Sequence, residues 1–254
     1  MDAKIDFNCD MGESFGMYKM GYDEDVIKFI TSANVACGFH AGDPGWMRKT
    51  VEMAEENGVG VGAHPSFPDL QGFGRRNMVV SPGEAKDDVV YQMGALAAFT
   101  RTKKLQHVKP HGAMYNMAAG GGDLAKAICE AVLEVDPETV LVVLAGTPWA
   151  EVAREMGVRV AQEAFADRAL NPDGTLVARS KPGSVIHDLD EVVERSIRMV
   201  TRGSATAVNG EDIEVRADTF CLHGDTPGAR DMAVALKSGL EAAGVEIVPL
   251  SRLV

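Results

Sequence analysis

Four of the six histidines fall at the ends of short apolar runs, each in a polar or glycine-rich cluster. His40 lies in ACGFHAGD, His64 in GAHPSFPD, His111 in KPHGAMYN and His223 in CLHGD. The opening run, IDFNCDMGE, adds Asp6, Asn8, Asp10 and Glu13. Side chains on a strand alternate faces, so Asp6, Asn8 and Asp10 share one face and Ile5, Phe7 and Cys9 the other. Imidazoles and carboxylates brought together in this way serve acid–base chemistry or ligate metal ions. Lys109 and the pair Arg75-Arg76, in GFGRRNM, are the cations available for a carboxylate or phosphate. A lone histidine at a strand end is more often structural, bonding a backbone carbonyl. Four in the same topological place point to a common polar site. His107 and His187 lack such neighbours and read as core or surface residues.

Such residues need a frame that brings distant segments to one place. Apolar runs predict strands near 3–9, 33–37, 59–63, 106–109, 139–145, 158–164, 217–222 and 245–249. Amphipathic segments predict helices near 44–57, 82–102, 122–135, 147–156, 188–202 and 227–243. Asp43-Pro44 and Ser81-Pro82 place a cap before a first-turn proline, and Gly58, Gly157 and Gly244 stop helices just before strands. About eight strand–helix units along 254 residues fit a single (β/α) barrel domain spanning 1–254. A doubly wound open sheet is the competing frame, but it would usually carry a glycine-rich nucleotide loop after an early strand, where this chain has DMGE. In a barrel the carboxyl ends of all strands meet on one face, so the histidine clusters and the acidic strand would share one pocket. Inward carboxylates there need a metal, a cation or a polar substrate as partner.

Composition excludes several classes. The formal net charge of −12 leaves no basic stripe for nucleic acid. No apolar run has the length of a membrane span and no leader pattern opens the sequence, so a cytoplasmic location is expected. Cys9, Cys37, Cys129 and Cys221 show no CxxC spacing and read as buried free thiols. DFNCDMG imitates the start of an EF-hand loop, but Met11 replaces the glycine and Met17 the closing glutamate. There is no P-loop and no G-x-S-x-G elbow, and Gly120-Gly121-Gly122-Asp123 is a weak anion-binding signal.

Five segments in order, DFNCDMGES, NVACGFHAGDP, GAHPSFPDLQGFGRR, KPHGAMYN and FCLHGD, resemble the LamB/YcsF family over nearly the whole chain. The resemblance implies a TIM-like α/β barrel of the glycoside hydrolase/deacetylase type, irregular or reduced to seven strands. It implies the A subunit of an ATP-dependent 5-oxoprolinase, which opens 5-oxo-L-proline to L-glutamate with release of ADP and phosphate. ATP is then a co-substrate, Mg2+ its expected companion, and subunits B and C the expected partners. On the matching motifs, Asp10, Glu13, His40, His64, Lys109 and His111 are the expected catalytic groups. Asp6, Asn8, Asp43, Arg75, Tyr115, Asn116, His223 and Asp225 are the expected substrate contacts. Two alternatives keep the barrel. One is a metal-dependent deacetylase or amidohydrolase acting on a small carbohydrate or amide, with Asp10, His40 and His64 as metal ligands. The other is a substrate-binding chain whose partners carry the chemistry.

Overall fold

The computed structural model describes residues 3–178, 180–222 and 228–254. The chain begins with β1 (Lys4–Met11), a short helix α1 (Asp23–Val26), β2 (Ser32–Ala36), α2 (Pro44–Glu56), β3 (Gly60–His64) and α3 (Pro82–Ala97). It continues through β4 (His107–Val108), α4 (Gly112–Ala118), α5 (Asp123–Val135), β5 (Val140–Leu144), α6 (Pro148–Glu155), β6 (Arg159–Phe165) and α7 (Leu189–Arg202). A hairpin, β7 (Ser204–Thr206) and β8 (Asp212–Glu214), precedes β9 (Thr219–Leu222), α8 (Ala229–Ala242) and β10 (Glu246–Ile247).

Strands β1 to β6 pair in sequence order, all parallel, and β9 joins β6 to β1, closing a seven-stranded barrel. The reduced count is the one the resemblance implies. β10 adds to the start of β1, where the Ala3 and Ile5 carbonyls accept from Glu246 and Val248. Helix starts follow the predicted chemistry. Asp43 accepts from the Gly45 and Trp46 amides ahead of Pro44, and Ser81 and Glu84 form a reciprocal capping box ahead of Pro82. α3 ends at Ala97, five residues before its predicted end.

The alternation along β1 sorts two environments. Ile5, Phe7, Cys9 and Met11 face outward into the apolar layer under the helices, with Val35, Val61, Val108, Leu141 and Phe220 from the other strands. Burial of each such large side chain stabilises the fold by roughly 1.5–3 kcal/mol. The opposite face points into the barrel, where branched apolar side chains usually dominate. Here only part of the interior is apolar. Val140, Val142 and Ala161 pack with Leu250 from the C-terminal 3-10 turn.

The rest of the interior is a polar column. Asp6 accepts from the hydroxyls of Thr31 (2.7 Å), Ser32 (2.6 Å) and Thr219 (2.5 Å). Asn8 donates to the Thr219 hydroxyl at 2.7 Å and accepts from the Asn34 amide at 2.7 Å. His107 donates through Nε2 to Asn34 Oδ1 at 2.7 Å. Each bond contributes on the order of 1 kcal/mol net, but an orphaned member would cost more. Gly62 makes room for this layer, since a Cβ there would lie 2.2 Å from the His107 ring. His107 is therefore a core residue and His187 an exposed one, which their sequence neighbours alone did not separate.

Candidate functional site

The polar column rises to Asp10, the last inward residue of β1. Asp10 Oδ1 accepts from Asn34 Nδ2 at 2.8 Å and Lys109 Nζ at 3.0 Å, and Oδ2 lies 3.3 Å from His64 Nε2. Lys109, just past β4, also reaches Glu163 Oε1 at 2.9 Å, Asn8 Oδ1 at 3.2 Å and Cys221 Sγ at 3.2 Å. Burial opposes the charge on Lys109, yet the surrounding anionic groups, Asp10 foremost, hold its pKa well above the ordinary lysine value. Burial likewise opposes the charge on Asp10, but His64 and Lys109 hold it well below the usual carboxylate range. An ammonium between two carboxylates is thus fixed at the centre of the barrel. Tyr115, on α4, donates to Glu163 Oε2 at 2.8 Å, and burial together with Glu163 keeps its phenol protonated. Burial also pushes the Cys221 thiol well above its ordinary value, despite Lys109 beside it, so it is no ready nucleophile.

Beside Asp10 stand three histidines from three strand ends. His64 closes β3, while His40 and His111 follow β2 and β4. His40 and His111 stack face to face with centroids 3.8 Å apart, and His64 meets both edge-on. Glu13 Oε1 lies 3.1 Å from His40 Nε2 and 3.6 Å from His111 Nδ1. One donor atom from each of Glu13, His40, His64 and His111 lies within 4.8 Å of all the others. Burial, reinforced by neighbouring histidines, pushes His40 well below the ordinary imidazole value and His111 down to about 3, so both rings are neutral near pH 7.

The loop 66–76 buttresses this cluster. Asp69 accepts from the Gly72 and Arg76 amides and pairs with the Arg76 guanidinium. Phe73 takes a positive φ of 54° and offers its carbonyl to His111 Nε2 at 2.9 Å, while its ring meets His40 and His111 edge-on. Gly74 follows at φ 62°, and a Cβ there would lie 2.8 Å from both His40 and His111. Strain of this kind persists where the surroundings over-determine it, often at functional sites.

A cavity of about 390 Å3 opens over these groups, within the range of small-molecule sites, roughly 300–1,000 Å3. Asp10, His64, Lys109, His111, Tyr115 and Glu163 line it, with Arg75 and Asn116 toward solvent. Arg75 lies over the Phe73 ring at 5.1 Å and pairs with no carboxylate among the described residues. Of the two adjacent arginines, Arg75 therefore faces the pocket while Arg76 holds the loop.

Not every expected residue reaches the pocket. Asp43 caps α2 and also accepts from the Gly16 amide, so its carboxylate is spent on backbone donors. Asp6 lies deep in the barrel among hydroxyls, and Asn8 supports Lys109 from below. Neither lines the cavity. Glu13 and His40 stand behind His64 and His111 instead of lining it directly. His223 and Asp225 lie outside the described residues. Glu163, Cys221 and Arg168 line the cavity without having been expected there. Glu163 had one signal, a carboxylate inside the predicted strand near 158–164, and Cys221 another, its same-face spacing from Thr219.

The family model described as the LamB/YcsF family matches residues 5–254. The chain belongs to the LamB/YcsF family. A relative from Pyrococcus furiosus, named as the A subunit of 5-oxoprolinase, is 56% identical over 249 residues, covering 97% of this chain and 98% of its own. The crystal structure of a lactam utilization protein from Thermus thermophilus is 48% identical, with a TM-score of 0.91 over 96% of this chain and 99% of that one. A peptidoglycan N-acetylglucosamine deacetylase is 10% identical with a TM-score of 0.51 over 99% of this chain and 88% of its own, a likeness of fold alone. Among the described residues no helix is long and apolar enough to cross a membrane.

Proposed function

We propose that this chain is the A subunit of an ATP-dependent 5-oxoprolinase and that the barrel-mouth pocket is where the lactam is opened. The observation that carries the reading is near-full-length similarity to a relative named for the A subunit of 5-oxoprolinase, joined to a pocket with charge suited to a small acidic lactam. A five-membered lactam is an unreactive amide, so its opening needs coupling. The lactam oxygen takes the γ-phosphoryl group of ATP as the bond to ADP breaks. Water adds to the same carbon, the C–N bond breaks, and the ring nitrogen takes a proton. A second water cleaves the acyl phosphate, leaving glutamate and phosphate. Two waters and one ATP are consumed for each ring.

The chain's own residues divide this work. Arg75 is the cation for the substrate carboxylate at the rim. Lys109 places fixed positive charge where the lactam oxygen and phosphoryl group become negative. Asp10, kept ionised and directed at the cavity floor, is the base that takes a proton from the attacking water. Tyr115, protonated and donating to Glu163, is the acid for the leaving nitrogen once its hydroxyl turns from Glu163 to the ring. ATP brings its own Mg2+, and the nucleotide is handled at a junction with subunits B and C, in line with the absence of a P-loop in this sequence.

The histidine cluster favours a second reading, a metal-dependent deacetylase or amidohydrolase working without ATP. A third assigns catalysis to the partners and only binding to this chain. Glutamate formation from 5-oxoproline with ATP and Mg2+ decides among them, measured on this chain alone and with subunits B and C. The proposal predicts coupled ADP and glutamate release in the full mixture. Release of neither product in any mixture, with acetate release from N-acetyl sugars by the chain alone, would replace it with the deacetylase reading.

A further inference from the structure

His64 Nδ1 lies 2.6 Å from the Lys109 carbonyl, and His111 Nε2 lies 2.9 Å from the Phe73 carbonyl. A carbonyl oxygen only accepts, so each of those nitrogens carries its ring's proton. A ring that holds one proton on that nitrogen leaves the other as a lone pair, and the two others here, His64 Nε2 and His111 Nδ1, face each other at 2.9 Å. Around them stand Asp10 Oδ2, 3.3 Å from His64 Nε2, and Glu13 Oε1, 3.6 Å from His111 Nδ1 and 3.1 Å from His40 Nε2. All three histidines are buried. Two carboxylate oxygens and three imidazoles thus converge at the edge of the cavity, and such a set calls for a cation.

We infer that Glu13, His40, His64 and His111, with Asp10 at the edge, form a binding site for a divalent transition-metal ion. Three imidazoles and two carboxylates balance a doubly charged ion, while Lys109 on the far oxygen of Asp10 keeps that carboxylate ionised and oriented. The carbonyl partners of His64 and His111 are the outer supports that fix a ligating tautomer. The donor set also discriminates between metals. Mg2+ takes oxygen ligands and keeps its waters, whereas imidazole suits Zn2+, Co2+, Ni2+ and Fe2+. With metal–nitrogen bonds of about 2.0–2.1 Å, two nitrogens 2.9 Å apart subtend about 90°, an angle of five- or six-coordinate ions. This site is therefore distinct from the Mg2+ that travels with ATP. Bound there, the ion would supply a Lewis acid on the cavity floor, a role that rests on the lactam-opening reading, whereas binding itself does not.

The test is a calorimetric titration of the metal-stripped full chain with CoCl2, ZnCl2 and MgCl2, together with the visible absorption of the Co2+ form. The inference predicts one Co2+ or Zn2+ per chain, a weak visible band typical of five or six N/O ligands, and no competition from equimolar Mg2+. His111→Ala and His64→Gln should each weaken binding by more than the roughly 10–100-fold typical of outer-shell changes. His187→Ala, at an exposed site, should leave it unchanged. Absence of Co2+ and Zn2+ binding by the wild-type chain would overturn the inference, whatever the variants do. So would equal affinity in His111→Ala, or nitrogen NMR showing a proton held between His64 and His111 in the presence of Zn2+. These titrations contain neither ATP nor lactam, so their failure leaves the lactam reading standing, and failure of glutamate release leaves the metal standing.

Discussion

Replacing Lys109 by methionine removes the cation that two carboxylates share and keeps a similar side-chain length. Lys109 Nζ contacts Asp10 at 3.0 Å and Glu163 at 2.9 Å, and both Lys109 and Glu163 are buried. Breaking a buried ion pair by removing one partner costs about 3–5 kcal/mol, because the remaining charge is left without compensation. Asp10 keeps Asn34 and His64 as partners, whereas Glu163 keeps only the Tyr115 hydroxyl among its described side-chain contacts, so most of the loss falls on Glu163. Unfolding entropy near 2 cal/mol/K per residue converts 1 kcal/mol to about 2 °C for a chain of this length. The Lys109→Met variant should therefore melt about 6–10 °C below the wild type. Glu163→Gln added to it should recover at least half of that loss, since the unpaired charge is then gone. Thermal melts of the wild type, both single variants and the double variant form the cycle that measures the coupling. A Lys109→Met melt within 2 °C of wild type, or simple additivity in the double variant, would refute the charge arrangement described for the barrel centre.

Three further outcomes follow from the geometry. Burial raises the Asp6 carboxyl to about 6 despite its hydroxyl donors, so the folded state holds that proton more tightly than the unfolded chain, whose value is near 3.8. Its contribution to stability is greatest below about pH 4 and is lost as pH rises through about 6. The difference is about 3 kcal/mol and should vanish from urea melts of Asp6→Asn compared across this range. Gly62→Ala would place a Cβ 2.2 Å from the His107 ring and should cost about 1–3 kcal/mol in the same assay, as overpacked cores do. Arg75→Ala should raise the KM for 5-oxoproline in the reconstituted enzyme by roughly 10- to 100-fold, the loss of a charge-assisted hydrogen bond. Its melting temperature should stay within about 1 °C, because Arg75 is exposed.

The strands are legible in the sequence because a parallel barrel buries both faces, and runs such as VLVVL and TFCL have few other readings. The alternation in IDFNCDMGE also places Asp6, Asn8 and Asp10 inward. What alternation cannot supply is depth. Asp6 and Asp10 share a face, yet one lies among hydroxyls and the other on the cavity floor. Asp43 misleads because a capping carboxylate and a substrate-binding one look alike in sequence, and only the Gly45 and Trp46 amides reveal which it is. The β7–β8 hairpin is too short and too exposed to leave a hydrophobic pattern. α3 ends early without a glycine or proline just past it, in a tightened last turn where the Leu96 and Ala97 carbonyls accept from the Phe99 and Thr100 amides. Glu163 carries no motif at all. Its importance comes from Lys109 and Tyr115, which lie 54 and 48 residues away and which only the closed barrel brings near.

The most direct test of the account is ATP-coupled glutamate release by the chain reconstituted with subunits B and C, comparing wild type with Asp10→Asn. Asparagine keeps the shape of Asp10 but removes the charge that faces Lys109, His64 and the cavity. The account predicts that glutamate release falls by at least about 100-fold while the complex still assembles. Glutamate release at the wild-type rate would contradict the assignment of lactam opening to this pocket.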